Sequence, residues 1–240
     1  MQNQQISSPE LMIVMPVYNE QASVRKVVTE WFHEVENWTE DFVFLAINDG
    51  SKDDTISILN RLREQLGERL QIVDRKNKGH GQTCLEGYRV ACETGTPYVM
   101  QIDSDGQCDP QYFFRLWRDR EKYDVIYGVR TQRDDGWRRV LASWILKITL
   151  LVFSRCWCLD ANVPYRLMRT AKIRAHIGSL PDDFFLANVG LAVLLKRDRS
   201  IRHGHVPIRF RERYGGEPSV RLGMFGNKAV ELIRHLNRKI

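Results

Sequence analysis

The 240-residue sequence has no run of about 20 uninterrupted apolar residues, the length a membrane-spanning helix requires. Its most apolar stretch, Val140 to Leu159, is broken by Lys147 and Arg155. Cysteine is scarce and odd in number, at Cys84, Cys92, Cys108, Cys156 and Cys158, and no basic-then-apolar leader opens the chain. Free thiols in a reducing cytoplasm are therefore expected, not a disulfide framework. Cys156 and Cys158 lack the spacing of a zinc knuckle or a thioredoxin motif, and His203 and His205 have no partner cluster, so both pairs read as structural. Gly79-His80-Gly81 is followed by Gly87 and forms no G-x-G-x-x-G, and no Gly-Lys-Ser/Thr loop occurs. Dehydrogenase and P-loop readings lose their main support. The absence of a G-x-S-x-G elbow does the same for an α/β-hydrolase. No internal repeat or low-complexity tract is present.

What remains is a globular composition, 43% hydrophobic and 28% charged. One domain is expected, with only the polar residues 1–10 loose. The net charge of +6 conceals an asymmetry: residues 1–114 hold 10 Lys/Arg against 18 Asp/Glu, and residues 115–240 hold 26 against 12. A basic half suits an anionic membrane or a phosphorylated ligand. A nucleic-acid partner is not expected, because aromatic and basic residues do not interleave in a recognition module. In Val140–Leu159 the apolar Leu141, Trp144, Ile145, Ile148, Leu151 and Val152 recur at helical spacing. Arg139, Ser143, Lys147 and Ser154 mark another face, which describes an amphipathic helix suited to its own domain or to a membrane interface.

Short apolar runs alternate with helical stripes in the first half, predicting an α/β fold with a mostly parallel sheet. The expected strands are Leu11–Val17, Phe42–Asn48, Leu70–Asp74, Tyr98–Ile102 and Asp124–Gly128. Between them a helix carries Val24, Val28, Trp31, Phe32 and Val35, with Asn19 as its expected N-cap. A second follows Asp53 with Ile56, Leu59, Leu62 and Leu66 inward. A third runs from near Gly81 to Gly95 with Leu85, Tyr88 and Cys92 on one face. Ligands of such sheets sit beyond the carboxyl ends of the strands. There the sequence places Tyr18-Asn19-Glu20, Asp49-Gly50-Ser51, Asp103-Ser104-Asp105-Gly106-Gln107 and Arg130. Asp103, Asp105 and Gln107 lie two apart, so an extended segment would aim three oxygen donors to one side. That donor set suits Mg²⁺ or Mn²⁺ bound together with substrate phosphates.

Met15-Pro16-Val17-Tyr18-Asn19-Glu20 and Ile47-Asn48-Asp49-Gly50-Ser51-Lys52-Asp53-Asp54-Thr55 resemble the opening signatures of family 2 glycosyltransferases. Asn77-Lys78-Gly79-His80-Gly81 with Gly87, then Asp103-Ser104-Asp105-Gly106-Gln107-Cys108-Asp109-Pro110, continue the likeness in order. Within the family the chain is most similar to the dolichol-phosphate mannosyltransferase-like branch, which loads sugars onto polyprenyl phosphates. The residues that carry this are Gly128 and Arg130, Asp160 with Tyr165-Arg166, and the basic segment Arg209 to Ser219. Asn48 departs from the Asp that often stands there.

The resemblance implies the GT-A fold, with a nucleotide-binding half at 11–114 and an acceptor-binding half at 115–220; in 221–240 Met224, Phe225, Leu232, Ile233 and Leu236 stand against Lys228, Arg234, Arg238 and Lys239, which reads as an amphipathic helix. It implies that Pro16, Tyr18, Glu20 and Asp49 frame the nucleotide, and that Asp103, Asp105 and Gln107 hold the metal and diphosphate. Arg130, Arg211 and Arg213 would meet phosphates, while Asp160 and Arg166 would line the acceptor and sugar pocket. Asp105, Asp160 and Arg130 would stand nearest the chemistry. The donor would be a UDP- or GDP-sugar and the acceptor a lipid phosphate, reached by a cytoplasmic protein attached peripherally to the membrane. Two other readings stay open: transfer to a glycan hydroxyl with Asp183 as base, and a non-catalytic nucleotide-binding scaffold. Asp182 and Asp183 also suit capping of a helix over Phe184 to Leu195.

Overall fold

The computed structural model describes residues 8–132, 161–181 and 186–215. The expected helix in Val140–Leu159, Asp160, Asp182, Asp183, Cys156, Cys158 and residues 216–240 lie outside the described residues.

Seven strands form one sheet in the order β3-β2-β1-β4-β6-β5-β7. The first three are β1 (Leu11–Val17), β2 (Phe42–Asn48) and β3 (Leu70–Asp74), and all pair in parallel, as do β1 and β4 (Tyr98–Gln101). Their near-continuous apolar runs are what a sheet covered on both faces requires. On the far side, β5 (Val125–Gln132) pairs in parallel with β7 (His203–Arg209). The short β6 (Arg166–Arg169) runs antiparallel to both β4 and β5 and joins the two halves. The sheet is thus mostly parallel with one reversed strand, fifth in the order. β4 stops one residue earlier than expected, and β5 runs on to Gln132, so Arg130 lies within it and not after it.

Helix α1 (Val24–Glu36) buries Val24, Val27, Val28, Trp31, Phe32 and Val35 on one stripe. Its cap is Ser23; the expected Asn19 lies upstream at φ +54, where its Oδ1 accepts the Lys52 N–H at 2.8 Å. Helix α2 (Thr55–Leu66) buries Thr55, Leu59 and Leu62, leaving Ile56 and Leu66 half-buried. Helix α3 (His80–Glu93) lies so close to β1 that a Cβ on Gly87 would come within 2.2 Å of Val14 Cγ1. Helices α4 (Phe113–Arg118), α5 (Thr170–Ile177) and α6 (Ala187–Arg197) complete the layers. Trp31 sits in the core against Phe113 and Tyr165, its indole N–H donating to the Cys108 carbonyl at 3.2 Å. Cys84, Cys92 and Cys108 are buried free thiols. Among the described residues no helix is long and apolar enough to cross a membrane.

The core also holds a charge. Arg166 has no exposed surface, and its guanidinium donates to the backbone carbonyls of Val163, Ala161 (3.1 Å) and Asn188 (3.1 Å). These three carbonyls take up its donors, and the residue ties β6 to the turn before it and to α6. His203 and His205 stack on Tyr127 across the β5–β7 ladder, in keeping with a structural role.

Candidate active site

β1 pairs with β4 only as far as Val14 and Gln101, followed by one bond from the Ile102 N–H to the Val14 carbonyl at 3.1 Å. Beyond that point β1 follows β2 alone, and the exits of β1 and β4 part. Pro16 is buried just past the end of the β4 ladder, where its missing N–H costs no strand bond on that side. Because β1 lies between β2 and β4, this cleft is the topological switch point of the parallel half, the place where such sheets bind ligands.

The loops around the cleft are laced together. At the β1 exit Tyr18 is half-buried, and the Asn19 N–H donates to Ser51 Oγ at 2.9 Å. The Glu20 N–H donates to Thr55 Oγ1 at 2.9 Å. At the β2 exit Asp49 accepts the N–H groups of Lys78 (2.8 Å) and Gly79 (2.9 Å) and the Arg75 guanidinium. Its side chain is 4% exposed. Both Asp49 carboxylate oxygens thus pin the loop between β3 and α3 at the edge of the cleft. Asn48 donates to Asp74 Oδ1 at 2.7 Å, again within the loop scaffold.

The β4 exit is a turn, not the extended segment expected, because Gly106 takes φ +84. The turn lets the Gln107 N–H donate to Asp105 Oδ1 at 3.0 Å. Asp103 Oδ1 is buried with no hydrogen-bond partner and lies 3.9 Å from His80 Nε2. Burial, and then the charge of Asp103, raise the Asp105 carboxyl to about 6, against the Gln107 N–H and Arg213. The charge of Asp103 thus acts on Asp105 across the turn, and the orphaned Asp103 oxygen is acceptor capacity of the hard kind that divalent cations take. Burial also raises Glu20, opposed by the Ser23 hydroxyl and the Arg213 guanidinium.

Across this turn lies residues 210–215, a strap leaving β7. The Arg211 N–H donates to the Gln107 carbonyl and the Tyr214 N–H to the Asp105 carbonyl, each at 3.0 Å. The Tyr214 ring covers Gly106 so closely that a Cβ there would stand 2.4 Å from it, which is why the turn needs glycine. Tyr214 Oη donates to Glu30 on α1 at 2.9 Å, and Arg211 reaches the same carboxylate at 2.8 Å. Arg213 bridges Glu20 and Asp105. Arg130 lies on the neighbouring strand with its guanidinium 5.1 Å from the centre of the Phe210 ring.

The structure thus gathers Glu20, Asp103, Asp105, Gln107 and Arg213 in one place, with Arg211 alongside. It puts Arg166 in the core and Asp49 in the loop scaffold. Glu30, Tyr214, Arg75 and His80 were given no role from sequence. His80 and Tyr214 lie inside quoted motif segments, whereas Glu30 had no signal beyond the polar face of α1.

Residues 12–180 match the family model "Glycosyl transferase family 2". Among curated proteins, the chain is 23% identical to the undecaprenyl-phosphate 4-deoxy-4-formamido-L-arabinose transferase of Edwardsiella ictaluri (strain 93-146) over 223 residues, 92% of this chain and 66% of that protein. The enzyme of the same name from Serratia proteamaculans (strain 568) is 28% identical over 143 residues, 59% of this chain and 43% of that protein. The chain thus spans less than two thirds of the length of these relatives. Among solved structures, glucosyl-3-phosphoglycerate synthase from Mycobacterium tuberculosis, in complex with Mn²⁺, UDP and phosphoglyceric acid, superposes with a TM-score of 0.67 at 18% identity. That match covers 96% of this chain and 78% of the other, and it shows a shared fold.

Proposed function

The chain belongs to glycosyl transferase family 2 and has the GT-A fold, and from that premise we propose that it moves a sugar from a nucleotide-diphosphate donor to a polyprenyl phosphate, with inversion. The observation that carries the reading is the orphaned, buried Asp103 oxygen beside Asp105 at the β4 exit, in the cleft at the switch point. In this reading residues 11–114 serve the nucleotide and 115–220 the acceptor. The undecaprenyl-phosphate transferases named above support the acceptor class, and the Mn²⁺ and UDP held by the synthase support the donor class.

Asp103 and Asp105, with Gln107, would hold Mg²⁺ or Mn²⁺, which when bound neutralises charge building on the diphosphate as its bond to the sugar breaks. The protein's own contribution is alignment and countercharge. An acceptor phosphate monoester has a second pKa of ~6, so its oxygen is already an anionic nucleophile at neutral pH. No strong general base is then required. That oxygen forms the new bond to the anomeric carbon as the opposite bond breaks, and the nucleoside diphosphate departs with both electrons. Arg130, Arg211 and Arg213 keep their charge at any working pH and offer paired N–H donors to phosphate oxygens. A lipid acceptor would place the reaction at a membrane surface on the cytoplasmic side.

The test is incubation of purified protein with Mn²⁺ or Mg²⁺, a panel of UDP- and GDP-sugars and undecaprenyl phosphate. The expected product is a lipid-linked sugar, formed only with metal and lost when Asp103 and Asp105 are both changed to Ala. Undiminished transfer by the folded double variant, or transfer to a free sugar alone, refutes the proposal.

A further inference from the structure

The side chain that closes the acidic site is a cation of the protein's own. Arg213 lies on the strap between the Tyr214 and Arg211 backbone bonds to the β4 exit, so its backbone is fixed from both sides. Nη2 donates to Glu20 Oε1, Nη1 reaches Asp105 Oδ2 at 3.4 Å, and Nε donates to the Gly215 carbonyl at 2.8 Å. Glu20 in turn is 4% exposed, and its second oxygen accepts the Ser23 hydroxyl at 2.6 Å. Each carboxylate oxygen of Glu20 thus already accepts one hydrogen bond from the protein. Glu20 is anchored at the start of α1 and holds a guanidinium against one of the two acidic residues a metal would use.

We propose that Arg213, positioned by Glu20, competes with the divalent cation for the Asp105 carboxylate. The inference rests on the reading that Asp103 and Asp105 take the metal. A guanidinium and a divalent cation repel each other, and one carboxylate cannot serve both in full. When the cation takes Asp105, the Glu20 contact keeps Arg213 beside it, facing wherever the diphosphate lies. A bound diphosphate then gives the displaced guanidinium a new anionic partner, so metal and nucleotide each make room for the other. Such coupling is reciprocal: each ligand raises the affinity for the other by the same factor.

Mn²⁺ binding, read by electron paramagnetic resonance of the free ion with and without UDP or GDP, tests this without any turnover. Removing a partly exposed countercharge from Asp105 in Arg213→Gln should raise Mn²⁺ affinity in the absence of nucleotide by about ten-fold. The same variant should bind nucleotide less tightly and lose most of the metal–nucleotide coupling. Arg213→Lys keeps the charge that opposes the cation and should remain within about two-fold of the unaltered protein in metal affinity. Unchanged or weaker Mn²⁺ binding in Arg213→Gln overturns the proposal, as does an equal gain in Arg213→Lys, which would trace the effect to strap packing and not to charge. Absence of Mn²⁺ binding by the unaltered protein with every nucleotide tried would instead remove the metal site on which both readings stand.

Discussion

Replacing Arg166 with Met separates a structural arginine from a ligand-binding one. The Met side chain retains most of the apolar stem's volume, so the perturbation falls on three buried carbonyls, those of Ala161, Val163 and Asn188, which lose their donors. A buried polar group left unpaired costs ~1–3 kcal/mol. Because the loop can relax to re-pair part of this set, the expected loss is about 3–5 kcal/mol, less than three full unpaired-carbonyl penalties. For a chain of this size each kcal/mol lowers the melting temperature by roughly 2–4 °C. The melting temperature, followed by circular dichroism, should therefore fall by about 10 °C. Arg166→Lys should be intermediate, since an ammonium cannot reach all three carbonyls in the geometry of the planar guanidinium. A loss under about 1 kcal/mol together with a raised KM for the sugar donor would refute the reasoning and restore Arg166 to a ligand pocket.

Gly87→Ala should destabilise by about 1–3 kcal/mol through overpacking, since the new methyl would meet Val14 Cγ1 at 2.2 Å. Combining it with Val14→Ala should recover part of the loss, a coupling above about 0.5 kcal/mol in a urea double-mutant cycle, and strict additivity would contradict the close α3–β1 contact. Asp124 is 3% exposed and accepts the Arg202 N–H (2.9 Å) and guanidinium (3.1 Å), bonds that lower its carboxyl below the usual range. Its stabilisation is therefore complete above the ordinary carboxylate pKa of about 3.9 and lost as pH falls through the depressed folded value. Asp124→Asn should cost stability at pH 7, and the gap to the unaltered protein should close below about pH 4; a gap independent of pH would discard the ion-pair explanation.

The first half of the fold was legible because its signals are local. Leu11–Val17, Phe42–Asn48 and Leu70–Asp74 are apolar runs bounded by turn residues, and the strands end where the runs end. The helical stripes of α1 and α3 likewise appear where the spacing put them, although the cap of α1 moved from Asn19 to Ser23. β6 and β7 were not legible. Arg166-Leu167-Met168-Arg169 is a four-residue strand flanked by arginines, too short to show a period, and the alternation of Gly204, Val206 and Ile208 in β7 is masked by its His, Gly and Pro residues.

Sequence by itself determined which polar groups leave the parallel strands, and so brought Asp103 and Asp105 to the mouth of the cleft. That much follows from periodicity and turn chemistry, which act over a few residues. Only the tertiary structure decided that Arg166 is a core residue, that Asp49 holds a loop, and that Arg213 reaches Glu20 across 193 positions of chain. Those outcomes depend on which buried acceptors and carboxylates long-range packing brings within reach of a guanidinium, and no local pattern encodes that distance.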